Sequence, residues 1–463
     1  MTFAQADLSA ATQPQTVERW QRQIEEGRAL LRLAAPIALI ALVNMGMSIT
    51  DTLMVSAMFG TGALAAVAVG SDLYSIVFYL CAGVLGGIAP YYTAAVTRRD
   101  PNESARIERI GWVIVALLAC LSVPLVWFSP VWLESLGLES GLLTEGQGYT
   151  RAMALTLIPM LGVMLYRTIL TAAEKPKIFL KVTLAMLPLN AAGNYLLMTG
   201  AGLFPELGPA GAGVSSLLVA TASLSVLVFV ARRASTKART AAGFVLPDWR
   251  AIWGVLRIGI PIGITSMTEL GIYLGATLYA ARLGVADVAA HTLTLRTAGV
   301  AYAFPAALLQ ASMVRMARTE SLGDAQGGRA VVSSSLALSV ILGTLLFATL
   351  AGAARPLAAA FFDASAAGIA AAQVAIVLLI LLGLIEFVAS PGLAAAGLLR
   401  GRMDTRAPMV FVLAGYWAIS APLGIYLCEI QKLGITGIWI GLGVGTLVTA
   451  TLTIGRLAMW RRR

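Results

Sequence analysis

The chain has 463 residues, 58% hydrophobic and only 12% charged, with a mean hydropathy of +0.83. Soluble domains carry roughly 25% charged residues, so there is too little polar material to cover a soluble surface, and a cytosolic enzyme is excluded. The formal net charge of +10 would suit a nucleic-acid ligand, but the placement of the charges excludes that as well.

A spanning helix needs about 20 mostly apolar residues. In chain order, residues 1–30 are polar and lack the short apolar core of a removable signal peptide, so they read as a cytoplasmic or interfacial segment. Six apolar spans follow at 31–58, 65–96, 110–132, 153–171, 178–198 and 211–231. A basic linker at 232–251 separates them from six more at 252–283, 285–314, 331–350, 371–399, 408–428 and 435–457. Residues 458–463 form a basic tail. The expected lobes are therefore 31–231 and 252–457.

Lys and Arg test this count, because basic loops stay on the cytoplasmic side. With the amino terminus inside, 28 of the 33 basic residues fall in inner segments. Outer segments hold only Arg151, Arg282, Arg355 and Lys432, and Arg296 lies within a span. A miscounted helix would scramble that alternation. Both termini are thus expected in the cytoplasm, and the basic charge reads as a topology signal aided by anionic lipid.

An even number of spans per half requires any repeat to run parallel. A shift of 225 residues lays Leu31-Arg32 over Leu256-Arg257, Pro36-Ile37 over Pro261-Ile262, and Gly46 over Gly271. At a shift of 226, Leu207-Gly208 and Gly211 meet Leu433-Gly434 and Gly437. The fold class expected is an all-α polytopic membrane protein of twelve helices, with two parallel-repeat six-helix lobes around a central cleft. That is the architecture of a carrier.

Charged groups at membrane depth cost about 2.5–3.5 kcal/mol each on insertion scales, so each is a functional hypothesis. Asp51 lies in the first span, with Asn44 seven residues earlier on nearly the same face. Glu269 occupies the position in the seventh span that the repeat aligns with Asn44. Asn190 and Asn194 share a face of the fifth span, and Glu386 lies in the tenth. A carboxylate at that depth has three uses: to carry a proton, bind Na⁺, or neutralise a cationic substrate. The plainer role is an interhelical hydrogen bond that holds the bundle together. Asp72 and Arg296 are supporting candidates that would also serve as a mutually neutralising structural pair. His291 is either a proton carrier or a packed, hydrogen-bonded core residue.

Three cysteines in apolar runs and one histidine give neither a disulfide framework nor a metal pattern. No phosphate-binding loop of the GxxxxGK[ST] kind is present, and no catalytic triad. The chain is therefore expected not to be an enzyme, to need no cofactor, and to draw on an ion gradient of H⁺ or Na⁺ if transport is active.

These residues stand in a familiar order. Pro36 precedes Asp51-Thr52-Leu53-Met54, then come Leu189-Asn190 through Asn194, and Pro205-Glu206-Leu207-Gly208 with Gly211 and Gly213. In the second half Pro261 precedes Glu269, followed by Ala289-Ala290-His291, Gly397-Leu398-Leu399-Arg400-Gly401 with Asp404 and Pro408, and Leu433-Gly434 through Gly437 and Trp439. From about Leu31 onward the chain resembles the multidrug and toxic compound extrusion (MATE) family, in its NorM-like branch. The resemblance implies a monomeric antiporter of the bacterial inner membrane that exports small organic, often cationic, compounds by alternating access. It implies an ion or proton site at Asp51, Asn190 and Asn194, and cation coupling, including Na⁺, at Glu269. One departure stands out: the aspartate usual in the tenth span aligns with Ala389, and Glu386 lies one turn earlier. The alternative transport class is a flippase for a lipid-linked precursor, which would call for a strongly cationic cavity. Only Arg296 is basic at depth.

Overall fold

A computed structural model describes residues 4–202, 204–234 and 248–461. Most of the basic linker, residues 235–247, and positions 462–463 of the tail lie outside the described residues. The described chain is helical, without strands. The first helix, α1 (Ala4–Gly86), runs through the polar leader and two spans, with one break at Gly60, where φ is +80°. The leader is thus continuous with the first span rather than a separate segment.

Then come α2 (Ile88–Thr97), α3 (Pro101–Trp127), the short α4 (Ser129–Ser135), α5 (Ser140–Ala172), α6 (Pro176–Thr199) and α7 (Ala210–Ala234). The second half holds α8 (Trp249–Ala280), α9 (Val285–Leu322), α10 (Ala325–Phe361), α11 (Ala366–Gly401), α12 (Arg406–Leu413), α13 (Ala421–Glu429) and α14 (Gly434–Arg461). A wider π-helical stretch, Ala414–Ser420, joins α12 to α13 in one span.

Eleven segments among the described residues are long and apolar enough to cross a membrane. The twelfth expected span exists as α6, whose 24 residues reach about 36 Å at 1.5 Å per residue. Lys177, Lys181, Asn190 and Asn194 make it less apolar than the other eleven. The expected span that carries the asparagines is therefore the one that apolarity alone does not reveal.

The repeat is visible in the backbone. Left-handed positions recur at Gly60 and Gly284, Arg99 and Gly323, and Gly208 and Gly434. Each pair is 224–226 residues apart, and each precedes or follows a helix junction. The helix caps recur with them. Asp100 accepts from the backbone N–H groups of Asn102 and Glu103 at the start of α3. Asp324 does the same for Gly327 at the start of α10. Both satisfy donors that a helix start leaves open.

By packing, the chain falls into two compact units. One comprises residues 1–38 with 268–463, the other residues 39–267. Relative to lobes divided at the linker, each unit takes the opening stretch of the other's first span. The physical reason is close helix approach. In the second unit a Cβ on Gly83 would stand 2.5 Å from Gly263 Cα, and one on Gly259 would stand 2.1 Å from Val84 O. Only glycine lets the backbones of α1 and α8 meet there. In the first unit, Leu30, Leu33 and Ile37 are buried in a cluster with Leu308, Ala311 and Val314 of α9. Arg315 reinforces it with a two-pronged ion pair to Glu26, at 2.7 and 2.9 Å.

Candidate functional site

The unit of residues 39–267 gathers Asp51, Asn190 and Asn194. The two asparagines project from one face of α6 and are 1% and 0% exposed. Asn194 Nδ2 donates to Asp51 Oδ1 at 2.5 Å. Asn190 reaches the same carboxylate from one turn away. Local packing fixes this face: a Cβ on Gly193 would lie 2.5 Å from Ser215 Oγ of α7. The glycine lets α7 close in, and Ser215 Oγ donates to the main-chain oxygen of Asn190 at 3.2 Å. Both amide oxygens, Asn190 Oδ1 and Asn194 Oδ1, are buried without a hydrogen-bond partner among the described residues. Buried acceptors are rarely left open. It is the amide nitrogen of Asn194 that faces Asp51; with that amide turned over, its oxygen and the carboxylate would make an oxygen set suited to a hard monovalent cation or to a proton on Asp51.

The other unit holds Glu269 and Glu386. Tyr302 of α9 donates its hydroxyl to Glu269 Oε2 at 3.1 Å. Glu386 of α11 is only 4% exposed, and its Oε2 has no hydrogen-bond partner among the described residues. Tyr273 and Tyr416 lie within electrostatic reach of both carboxylates. Tyr416 sits on the π-helical stretch and shares a 3.3 Å hydrogen bond with Thr446 Oγ1. π-helical turns are rare and often mark functional positions. The charge of Arg400, at the end of α11, acts on Glu269. These tyrosines and Arg400 escape a reading of the sequence that looks for charge at depth. Arg400 reads there as part of a basic loop, and tyrosine in a span is ordinary.

His291 is fully buried and bonded at both ring nitrogens. Trp439 Nε1 donates to Nδ1 at 3.2 Å, which makes Nδ1 an acceptor. Nε2 pairs with Thr277 Oγ1 at 2.9 Å, and that hydroxyl also contacts the main-chain oxygen of Tyr273 at 3.0 Å. The neutral ring with its proton on Nε2 satisfies every partner. A second proton would displace the tryptophan, so the geometry favours the packing role over the carrier role. Asn44 and Arg296 are exposed and join neither cluster. Asp72 is exposed on α1, within electrostatic reach of the buried Tyr149, as is Asp51. No group of three or more His, Cys, Asp or Glu side chains suited to a metal occurs among the described residues.

Comparison with known proteins gives the family and the fold. The MatE family model matches residues 36–196 and again 261–426, repeating at the 225-residue shift. The chain belongs to the MatE family. Among relatives, a "Probable multidrug resistance protein NorM" of Bradyrhizobium diazoefficiens is 30% identical over 98% of this chain and 97% of its own length. A protein of the same description from Rhizobium meliloti is 30% identical, with 94% of each chain covered. The fold matches the crystal structure of the eukaryotic MATE transporter AtDTX14 with a TM-score of 0.84. That match covers 95% of this chain and 96% of the other at 18% identity. The protein is a multi-pass membrane transporter of the MATE type.

Proposed function

We propose that this MATE transporter is a multidrug efflux antiporter of the bacterial inner membrane, with both termini in the cytoplasm. It exports amphipathic, often cationic compounds in exchange for inward H⁺ or Na⁺ by alternating access. The observation that carries this reading is the Asp51 carboxylate, gripped by Asn194 beside two amide oxygens that lack donors. With the Asn194 amide turned over, a proton on Asp51 would donate to its oxygen, and Na⁺ would take the amide oxygen and the carboxylate together. Either ion supplies what the empty-handed acceptors lack, and its arrival and departure would alter the packing of α1 on α6. Glu269 and Glu386 would form a second cation-responsive cluster, with Glu386 in place of the aspartate that Ala389 replaces. The NorM description of the relatives supports drug export, and the placement of basic residues supports the orientation.

The test is efflux of a fluorescent organic cation from proteoliposomes, with a pH gradient and a Na⁺ gradient imposed separately. Transport driven by one gradient and abolished in a folded Asp51→Asn variant is the expected result. Undiminished gradient-driven transport in that variant sinks the assignment.

A further inference from the structure

The last part of the polar leader has no role in export as described above. Residues 20–32 of α1 are helical and are fastened along one side to spanning helices of their own unit. Glu26 pairs with Arg315 of α9, and Arg22 Nη1 donates to Gln326 Oε1 of α10 at 2.9 Å. Ser334 Oγ of α10 donates to the main-chain oxygen of Gln23 at 2.8 Å. Ser334 lies at the head of the uncharged run 330–354, which Arg329 and Arg355 bound. The leader therefore runs at the level where an apolar span meets the headgroups, and does not stand clear of it. Its other side carries a different set. Trp20, Ile24 and Leu31 are each more than half exposed, and Arg28 and Arg32 are exposed beside them. Spacings of three and four residues put all five on one side of the helix. Neither arginine is held in an ion pair among the described residues, and Glu25, exposed at the edge, pairs with neither. The start of α8, in the other unit, repeats the arrangement at the 225-residue shift. Trp249 and Trp253 stand there for Ile24 and Arg28, both more than half exposed, and Arg257 stands exposed for Arg32.

We propose that this side of the leader is a binding surface for anionic phospholipid, anchored by Trp20, Ile24 and Leu31 and made selective by Arg28 and Arg32. An indole ring rests at headgroup level, half in the apolar layer and half in water. An arginine lays its stem along apolar surface and carries its guanidinium to the phosphates, whose geometry the planar fork matches. The selection is one of net charge. A zwitterionic headgroup brings its own cation beside the phosphate, which opposes a second positive charge, and an anionic headgroup brings none. The ion pair and hydrogen bonds on the reverse side already hold the helix in place, so a lipid that binds here has little left to order.

The experiment places a fluorophore at Ile24→Cys in the full-length protein carrying Cys120→Ser, since the other two thiols are buried. The protein is reconstituted in phosphatidylcholine with a rising share of spin-labelled phosphatidylglycerol or, separately, spin-labelled phosphatidylcholine. Each quencher carries its nitroxide near the glycerol backbone, so quenching reports which lipid occupies this surface. A basic residue near an anionic surface contributes about fivefold in affinity, so phosphatidylglycerol should be preferred about fivefold or more at low salt. Arg28→Gln with Arg32→Gln should lower that preference to the value at Leu345→Cys, an exposed reference position within the uncharged run of α10. Arg28→Lys with Arg32→Lys should keep most of it. Trp20→Gln should reduce quenching by both lipids and leave their ratio unchanged. Three results overturn the surface: no quenching by either lipid, equal quenching by both in the unmodified leader, or a preference that survives the double glutamine variant. None of these readings depends on gradient-driven transport, so they stand or fall apart from the antiport mechanism.

Discussion

The two units hold their carboxylates in different company. In the unit of residues 39–267, one carboxylate stands among amides: Asp51 accepts from Asn194, and two amide oxygens remain open. In the other unit, two carboxylates stand among phenols and a guanidinium: Glu269 accepts from Tyr302 and feels Arg400, and Glu386 leaves an oxygen unmet. The repeat supplies the same helices to both units but not the same chemistry. Amide oxygens coordinate cations and phenol hydroxyls donate protons. The first arrangement has the makings of an ion-loading site. The second, with a resident arginine, already contains part of the positive charge that a loaded ion would bring.

The sharpest way to break that contrast is Asp51→Asn. It should abolish gradient-driven efflux in proteoliposomes, because Asp51 is the carboxylate that the amide cluster holds among the described residues, while circular dichroism remains helical. Next comes Asn194→Leu, which removes the donor that positions Asp51. Loss of a hydrogen bond to a charged group costs about 1.5–3 kcal/mol, so ion dependence should shift about tenfold or more, measured as the ion concentration giving half-maximal efflux. If the variant behaves as wild type, the amide cluster does not tune the ion.

Glu386→Gln sharpens the other side. A phenol-lined carboxylate that serves as an auxiliary should lose part of the transport rate and retain coupling to the same ion. Complete loss would give the second unit equal rank. The smallest effect on transport is expected for His291→Phe. Stranding the Trp439 N–H should cost about 1–3 kcal/mol, seen as a lower unfolding temperature. The pH profile of efflux should not move, and a displaced profile would restore His291 as a proton carrier.

Much of this was legible in the sequence. The apolar runs located the helices, the placement of basic residues checked their count, and the 225-residue shift found a repeat that the backbone carries down to paired left-handed residues and paired aspartate caps. Asp51, Asn190 and Asn194 converge because their polarity is too costly at depth to be incidental. What the sequence hid has physical causes. The continuity of α1 through the polar leader depends on burial against α9, a long-range contact that no local pattern encodes. Tyr302 approaches Glu269 from another span, and a tyrosine in an apolar run carries no signal of its partner. The π-helical stretch near Tyr416 comes from one residue of excess in a helix, which hydrophobic periodicity does not register. His291 stands out by its rarity, yet only its two bonded nitrogens reveal that it is already spoken for.

The exchange of opening stretches between the units has a consequence for biosynthesis. The unit of residues 39–267 cannot close until α8 has been inserted, because Gly259 and Gly263 must slot against α1. The other unit receives its opening residues at the outset, but Leu30, Leu33 and Ile37 must wait for Leu308, Ala311 and Val314 of α9, so they stand without their partners until well into the second half of translation. Cutting the gene at the linker would not yield two self-sufficient halves. Each fragment would lack a helical segment that its own core requires, and the two would be expected to mature only when made together.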